Sequence, residues 1–513
     1  MADWAADASG LDEARIALFE IFAVRNQAVY GRMLGSLPDR SITLRHGDNE
    51  HGRTRTRAFL TTIPLLLGLA SAGPATTAEF KLTAADGAGG DGFGDAVAMS
   101  AETVVIGARA DADKGFASGS AYFYALDAGG WTLQNKVTAS DGAFGDQFGW
   151  SVDIDGDSAV IGAYLEDPRG TNSGSAYVFT RTNGVWTEQM KLTAPDGAAG
   201  DQFGYAVGIS GDTVVVGAID DDDAGTSSGA AYVFVRSGAV WSYQAKLTAS
   251  DAGAGDQLGR AVAISGDTVV VGAWHDDDIG ADAGAAYVFT RTGSLWSQQE
   301  KLLDALGNPG DEFGSSVDVD GDSAVVGAWS ADQYACPNCG AAHVFQRIGA
   351  SWSEQDGLVP TEVITPSDYL GTSVSISGDL VIVGSPGDDH EDNNGVYDLG
   401  AAYVFQRSGS SWTEIQRIVA SDAAASDSFG DAVGVSGGRV IIGAVGDADA
   451  GFGTGSAYVY DGIAGLPVPA ISDPAALLTL LALSTGAGLR AARRRGTRRP
   501  ERGPSASLAP RGP

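Results

Sequence analysis

Short apolar runs separated by polar turns dominate the hydrophobic pattern of this chain. One stretch serves as the type. Tyr205–Ser210 carries small and apolar residues, Gly211-Asp212 turns the chain, and Thr213–Gly217 is a β-branched run too apolar to keep a solvated face. An acidic loop from Asp220 to Gly225 follows. Next come the run Ala230–Val235, a turn at Arg236-Ser237-Gly238-Ala239, and Trp241–Thr248, whose alternation marks a half-exposed strand. The pattern predicts four antiparallel strands in about 55 residues, the size of one propeller blade.

The same pattern occurs seven times. Its landmark is an acidic residue, one spacer, then Phe-Gly or Leu-Gly, with the apolar residue at Phe93, Phe148, Phe203, Leu258, Phe313, Leu370 and Phe429. The first five lie 55 residues apart and the last two intervals are 57 and 59. Each unit closes its second strand with Gly-Ala, as at Gly107-Ala108 and Gly162-Ala163, except for Gly384-Ser385 in the sixth. Repeats of this length are supersecondary units that bury their faces on one another. The array begins with Glu79–Ala84, which matches the outermost strand Lys246–Ala249, and the seventh unit stops at Asp461-Gly462 without that strand. The N-terminal strand is therefore expected to complete blade seven, closing an all-β, seven-bladed ring and removing its open edges.

Composition agrees. The 513 residues include 73 Gly and only 32 Lys+Arg against 65 Asp+Glu, a formal net charge of −33. Such a field repels phosphate backbones and argues against nucleic-acid binding. It suits divalent cations or basic partners.

The Phe148-Gly149 and Gly162-Ala163 motifs and their copies resemble the FG-GAP repeat family of bacterial surface proteins and integrin alpha subunits, over residues 81–461. The resemblance implies a propeller and leaves activity open, since propellers host many functions. In the family's calcium-binding repeats a long Asp-x-Asp-x-Asp-Gly loop joins the first two strands. Here that connection has shrunk to Gly211-Asp212, Gly266-Asp267 or Asp155-Gly156-Asp157, so the calcium-free branch is the better match.

Connectivity places the acidic loops on one face: Asp111 with Asp113, Asp221 with Asp223, Asp276 with Asp278, and Asp447 with Asp449, each followed by Gly115, Gly225, Gly280 or Gly451. Alternating carboxylates before a glycine suit calcium, a hard cation, yet each loop offers two or three of the six or more oxygens a site needs. The competing reading is a solvated Asp/Gly turn. No cofactor is required, and calcium is a candidate only. The Asp before each Phe-Gly is expected to bond backbone in a turn, and the repeated Trp residues to pack between blades. The opposite face carries Arg181, Arg236, Arg291, Arg347 and Arg407, which predicts an electrically polar disc. His275 and His390 lie on the acidic side without a nucleophile partner. The only cysteines, Cys336 and Cys339, read as a local disulfide or idle thiols, against a zinc half-site with His343 or a redox pair.

Both ends look like address labels. Residues 1–52 read as an over-extended start or leader. Residues 53–78 form a signal peptide, with Arg53, Arg55 and Arg57 before an apolar run and small residues, the alternative being an N-terminal anchor. After the propeller at 79–462 come a linker (463–473), a hydrophobic segment (474–489) and an Arg-rich tail (490–513). That order resembles a tripartite C-terminal sorting signal of the Ile-Pro-Thr-Leu type, read here as Val468–Ser472, with the Arg cluster held on the cytoplasmic side. The expectation is an exported, monomeric propeller at a bacterial cell surface, outer membrane or outside the cell, with membrane contact only through the C-terminal segment. It would act as a non-catalytic binding or adhesion module for a protein or polysaccharide. The competing class is an extracellular hydrolase or lyase using the central opening or the acidic face near blade six.

Overall fold

The computed structural model describes residues 78–463, apart from 333–335, 363, 390–397 and 450. These residues form seven antiparallel sheets of four strands each, arranged as a ring. Blade one runs Phe93–Ser100, Thr103–Ala108, Ser120–Asp127 and Gly130–Val137, in that order from the axis outward. First strands of neighbouring blades touch around the axis. The second strand of every blade is buried almost throughout, and the fourth alternates between exposed and covered. This is the burial its β-branched run and its alternation require.

Closure is as expected. The strand Ala78–Leu82 pairs antiparallel with Ser456–Asp461, Phe80 opposite Val459, and supplies the fourth strand of blade seven. The hydrophobic clusters straddle blade boundaries: Val160, Val178 and Leu192 of blade two pack with Phe203, Val214 and Trp241 of blade three. Each fully buried aliphatic or aromatic side chain contributes about 1.5–3 kcal/mol, so the blades are held chiefly by each other. Trp186 stacks on Phe123 of the preceding blade at 4.1 Å. Its indole N–H donates to Gln134 there, as Trp241 does to Gln189 and Trp296 to Gln244.

Two glycines explain the motif. Gly119 has φ +81°, and a Cβ there would lie 1.9 Å from the carbonyl oxygen of Phe148 in the next blade. Gly149, the Gly of Phe-Gly, has φ +93°, and its Cβ would meet the Ser120 oxygen at 2.3 Å. Backbones of adjacent blades touch here, leaving no room for a side chain. The landmark aspartates cap the turn just before them. The amides of Ala88, Ala143, Ala198, Gly253, Asn308, Thr365 and Ala424 donate to Asp91, Asp146, Asp201, Asp256, Asp311, Asp368 and Asp427 at 2.5–2.7 Å.

The leader, signal-peptide, sorting-signal and Arg-rich segments, and His390, lie outside the described residues. Among the described residues no helix is long and apolar enough to cross a membrane.

Candidate functional site

The acidic loops are not bare. In blade three Lys246, from the fourth strand, places its ammonium 2.8 Å from Asp221, 2.6 Å from Asp223 and 3.2 Å from Asp196. The Tyr232 hydroxyl donates to Asp221 and Asp196. Burial pulls the lysine pKa down, but the hydrogen bonds it donates to Asp221 and Asp223 raise it above the ordinary lysine value. Lys136 binds Asp86, Asp111 and Asp113 in the same way, and Lys301 binds Asp251, Asp276 and Asp278. Asp422, Asp447 and Asp449 each bring an oxygen within 4.8 Å of the others, close enough for a metal ion, and Lys81 lies 2.6–2.7 Å from all three. The sequence pattern singled out two carboxylates of each cluster, but neither the third (Asp86, Asp196, Asp251 or Asp422) nor the lysine and tyrosine that complete it. A cation held in them would have to displace the lysine.

The polar disc also needs revision. Arg236 bonds Asp212 in its own blade and the Ser158 hydroxyl of the preceding one, and stacks 5.0 Å over Trp241. Arg181, Arg291, Arg347 and Arg407 repeat this with Asp157, Asp267, Asp322 and Asp379. The arginines staple blades together, and their charge is matched by the adjacent turn. Cys336 and Cys339 form a disulfide. His343 sits against Glu354 and Asp304.

Two positions that vary among the repeats lie at the axis. Phe203 pairs with Ala218 and Val207 with Val216, so the intervening residues form a bulge, a device that re-aims a side chain. The same position, two residues after the landmark Phe or Leu, holds Asp95, Trp150, Tyr205, Arg260, Ser315, Thr372 and Asp431 around the ring. Beside them, directly after Gly-Ala, lie Arg109, Tyr164, Trp274 and Trp329.

Trp150, Tyr164 and Tyr205 form a cluster with ring centroids 4.5–5.3 Å apart. Arg109 caps Trp150 at 4.6 Å and pairs with Asp95 at 3.1 Å. Arg260 lies 5.3 Å over Tyr205 and 4.6 Å over Trp274, which stacks on His275 at 4.2 Å. Gln202 and Gln257 both donate to Asp220, and Gln257 accepts from the Trp274 indole. Glu312 accepts from Trp329. Arg260 Nε and Gln147 Oε1 are buried without a hydrogen-bond partner.

The electrostatics are unusual for carboxylates. Burial, eased by Arg109 and reinforced by Asp431, pushes the Asp95 carboxyl up to about 7. Burial also raises Asp431, against the pull of Arg109 and Arg260. Further along the first strands Asp153 accepts the amide of Ile209 in the next blade, and Asp318 accepts those of Ile376 and Val319. Their burial raises them to about 7 and about 6. The axial end of the first strands thus combines aromatic faces, two guanidinium groups and carboxyls whose burial favours the neutral form. Such a surface can stack on the apolar face of a ring and exchange hydrogen bonds with hydroxyls. Within one repeat the signal for it was invisible. Across the repeats it lies at two of the positions where the seven near-copies disagree.

A closed ring of seven four-stranded blades with its variable side chains gathered at the axis defines a β-propeller repeat protein. The family described as FG-GAP repeat matches residues 76–124, 131–179, 186–234, 241–289, 296–345, 352–405 and 412–460, and the chain belongs to it. Each later match starts at the fourth strand of one blade and ends in the third of the next, so the family unit is offset by one strand from the blade. That offset is the sequence form of the closure. No curated protein matches the chain.

Proposed function

We propose that this propeller is an exported, surface-associated binding module that holds an extracellular polysaccharide at its axial opening, without catalysis. The observation that carries the reading is the breakdown of repeat symmetry at the axis. There, Trp150, Tyr164, Tyr205 and Trp274 stand beside Arg109, Arg260, Asp95 and Asp431, with Arg260 Nε and Gln147 Oε1 unpaired. The signal-peptide pattern supports export, and the Cys336–Cys339 disulfide suits an oxidising compartment. A protein segment inserting into the same opening is the other ligand class.

A second reading, an extracellular hydrolase or lyase, draws on one observation: the Asp95 carboxyl is raised to about 7 beside Asp431, a pairing that can supply a general acid. One titration tests both. Neutral and acidic polysaccharides are added to the protein while indole fluorescence and release of reducing or unsaturated ends are followed. Saturable quenching without new ends supports the binding module. New ends, lost in Asp95→Asn, favour the enzyme, and silence across the panel overturns both.

A further inference from the structure

Six blades place a cation at one equivalent point: Lys136, Lys191, Lys246, Lys301, Arg417 and Lys81, each on the outer strand opposite a tyrosine. Each lies 5.1–5.9 Å from the centre of that tyrosine ring, among carboxylates. Blade five breaks the rule. The register places Gly357 opposite His343, so the cation is absent and the ring is an imidazole. Two of the acids that hold the cation elsewhere are replaced too: Leu306 and Ala331 stand where blade three has Asp196 and Asp221, and Asp304 brings a carboxylate from a neighbouring position. A cavity of about 280 Å³ opens there, lined by Asp304, His343, Glu354, Leu306, Leu358 and Val359.

Crowding does not account for the loss. A Cβ on Gly357 would meet nothing closer than His343 Nδ1 at 4.0 Å. His343 Nδ1 lies 2.9 Å from Glu354 Oε1, while Nε2 is buried, has no hydrogen-bond partner and faces Asp304 Oδ2 at 3.6 Å, beyond bonding range. The His343 side chain is 6% exposed. At the mouth, Leu306 and Val359 are 87% and 52% exposed, an apolar rim.

We propose that blade five is a socket for a lysine side chain of a partner protein, whose ammonium enters the slot left by the missing cation and meets its own set of acceptors there. The ammonium donates to His343 Nε2 and to the carboxylates of Asp304 and Glu354, and Leu306, Leu358 and Val359 cover its methylene stem. The socket goes beyond the axial binding reading and does not depend on it.

The test follows the His343 imidazole nitrogens by NMR while Nα-acetyl-lysine methylamide is added to the protein. A saturating shift at Nε2 is expected, absent with the Nζ-acetylated amine and weakened about tenfold in Asp304→Asn. Gly357→Lys refills the slot, so it should keep the fold, melt higher and lose the response. No saturating shift up to about 50 mM amine, a response that survives Gly357→Lys, or zinc binding at His343 that excludes the amine would each overturn the proposal.

Discussion

Arg109 holds Asp95 at 3.1 Å while its guanidinium covers Trp150, so one side chain both neutralises a buried acid and fixes an aromatic face at the axis. Asp95 is 8% exposed and Arg109 36%, so the pair is only partly screened. Arg109→Ala leaves a buried carboxyl without its counter-charge and should cost about 2 kcal/mol, read as a lower urea midpoint at pH 8. Arg109→Lys, which keeps charge without the planar stack, should recover part of it.

The raised acids set a pH dependence. Folded Asp95 and Asp153 keep their protons up to about 7, whereas the unfolded chain releases them near the ordinary value of 3.8. The folded state therefore binds more protons across this window, and stability falls as pH rises through it, by up to about 1.4 kcal/mol per unit for each group. Asp95→Asn should flatten the slope between pH 5 and 7 in denaturant titrations.

At lower pH the sign reverses. Burial opposes ionisation of Asp196 and Asp422, but hydrogen bonds from Tyr232 and Lys246 to the first, and from Lys81 and Tyr458 to the second, hold both below their ordinary value. Their stabilisation is present above 3.8 and is lost as pH falls through the depressed folded values. Lys246→Met leaves Asp221, 3% exposed at its side chain, without its counter-charge and should cost about 3 kcal/mol. The vacated oxygens then suit calcium. Calcium at about 10 mM should raise the melting temperature of Lys246→Met and leave the unmodified protein unchanged. A rise in the unmodified protein would show that the lysines yield to the ion.

Trp150 touches Tyr164, Tyr205 and Arg109. Trp150→Ala should weaken polysaccharide binding about tenfold, an aromatic contact of roughly 1.4 kcal/mol, with little change in far-UV circular dichroism. Equal binding by the variant would move the ligand away from the axis.

Removing residues 78–82 strips blade seven of its outer strand and exposes the edge of Ser456–Asp461. Light scattering should then show association, because an unpaired edge recruits other chains.

The strands, their number and the closure were legible because they rest on local period and on copy number. The β-branched run Thr213–Gly217 and the alternating Trp241–Thr248 state their burial directly. The capping role of Asp91 and its equivalents was equally legible, since the turn is three residues long. Lys246 was not, because its partners Asp196 and Asp223 lie 50 and 23 residues away and only the sheet register joins them. The polar disc expected from the turn arginines failed for the same reason: Arg181 meets its neutralising carboxylate, Asp157, 24 residues away and the Thr103 hydroxyl 78 residues away.

The sequence alone thus determined a seven-bladed all-β ring sealed by its own first strand, because strand period, turn chemistry and repeat count are properties of neighbours along the chain. Only the tertiary structure decided what each charge faces and what lies at the axis. Asp95, Trp150, Tyr205, Arg260 and Asp431 come from separate blades and become one surface when the ring closes. In the same way, the missing lysine of blade five becomes a cavity only once Gly357 is registered against His343.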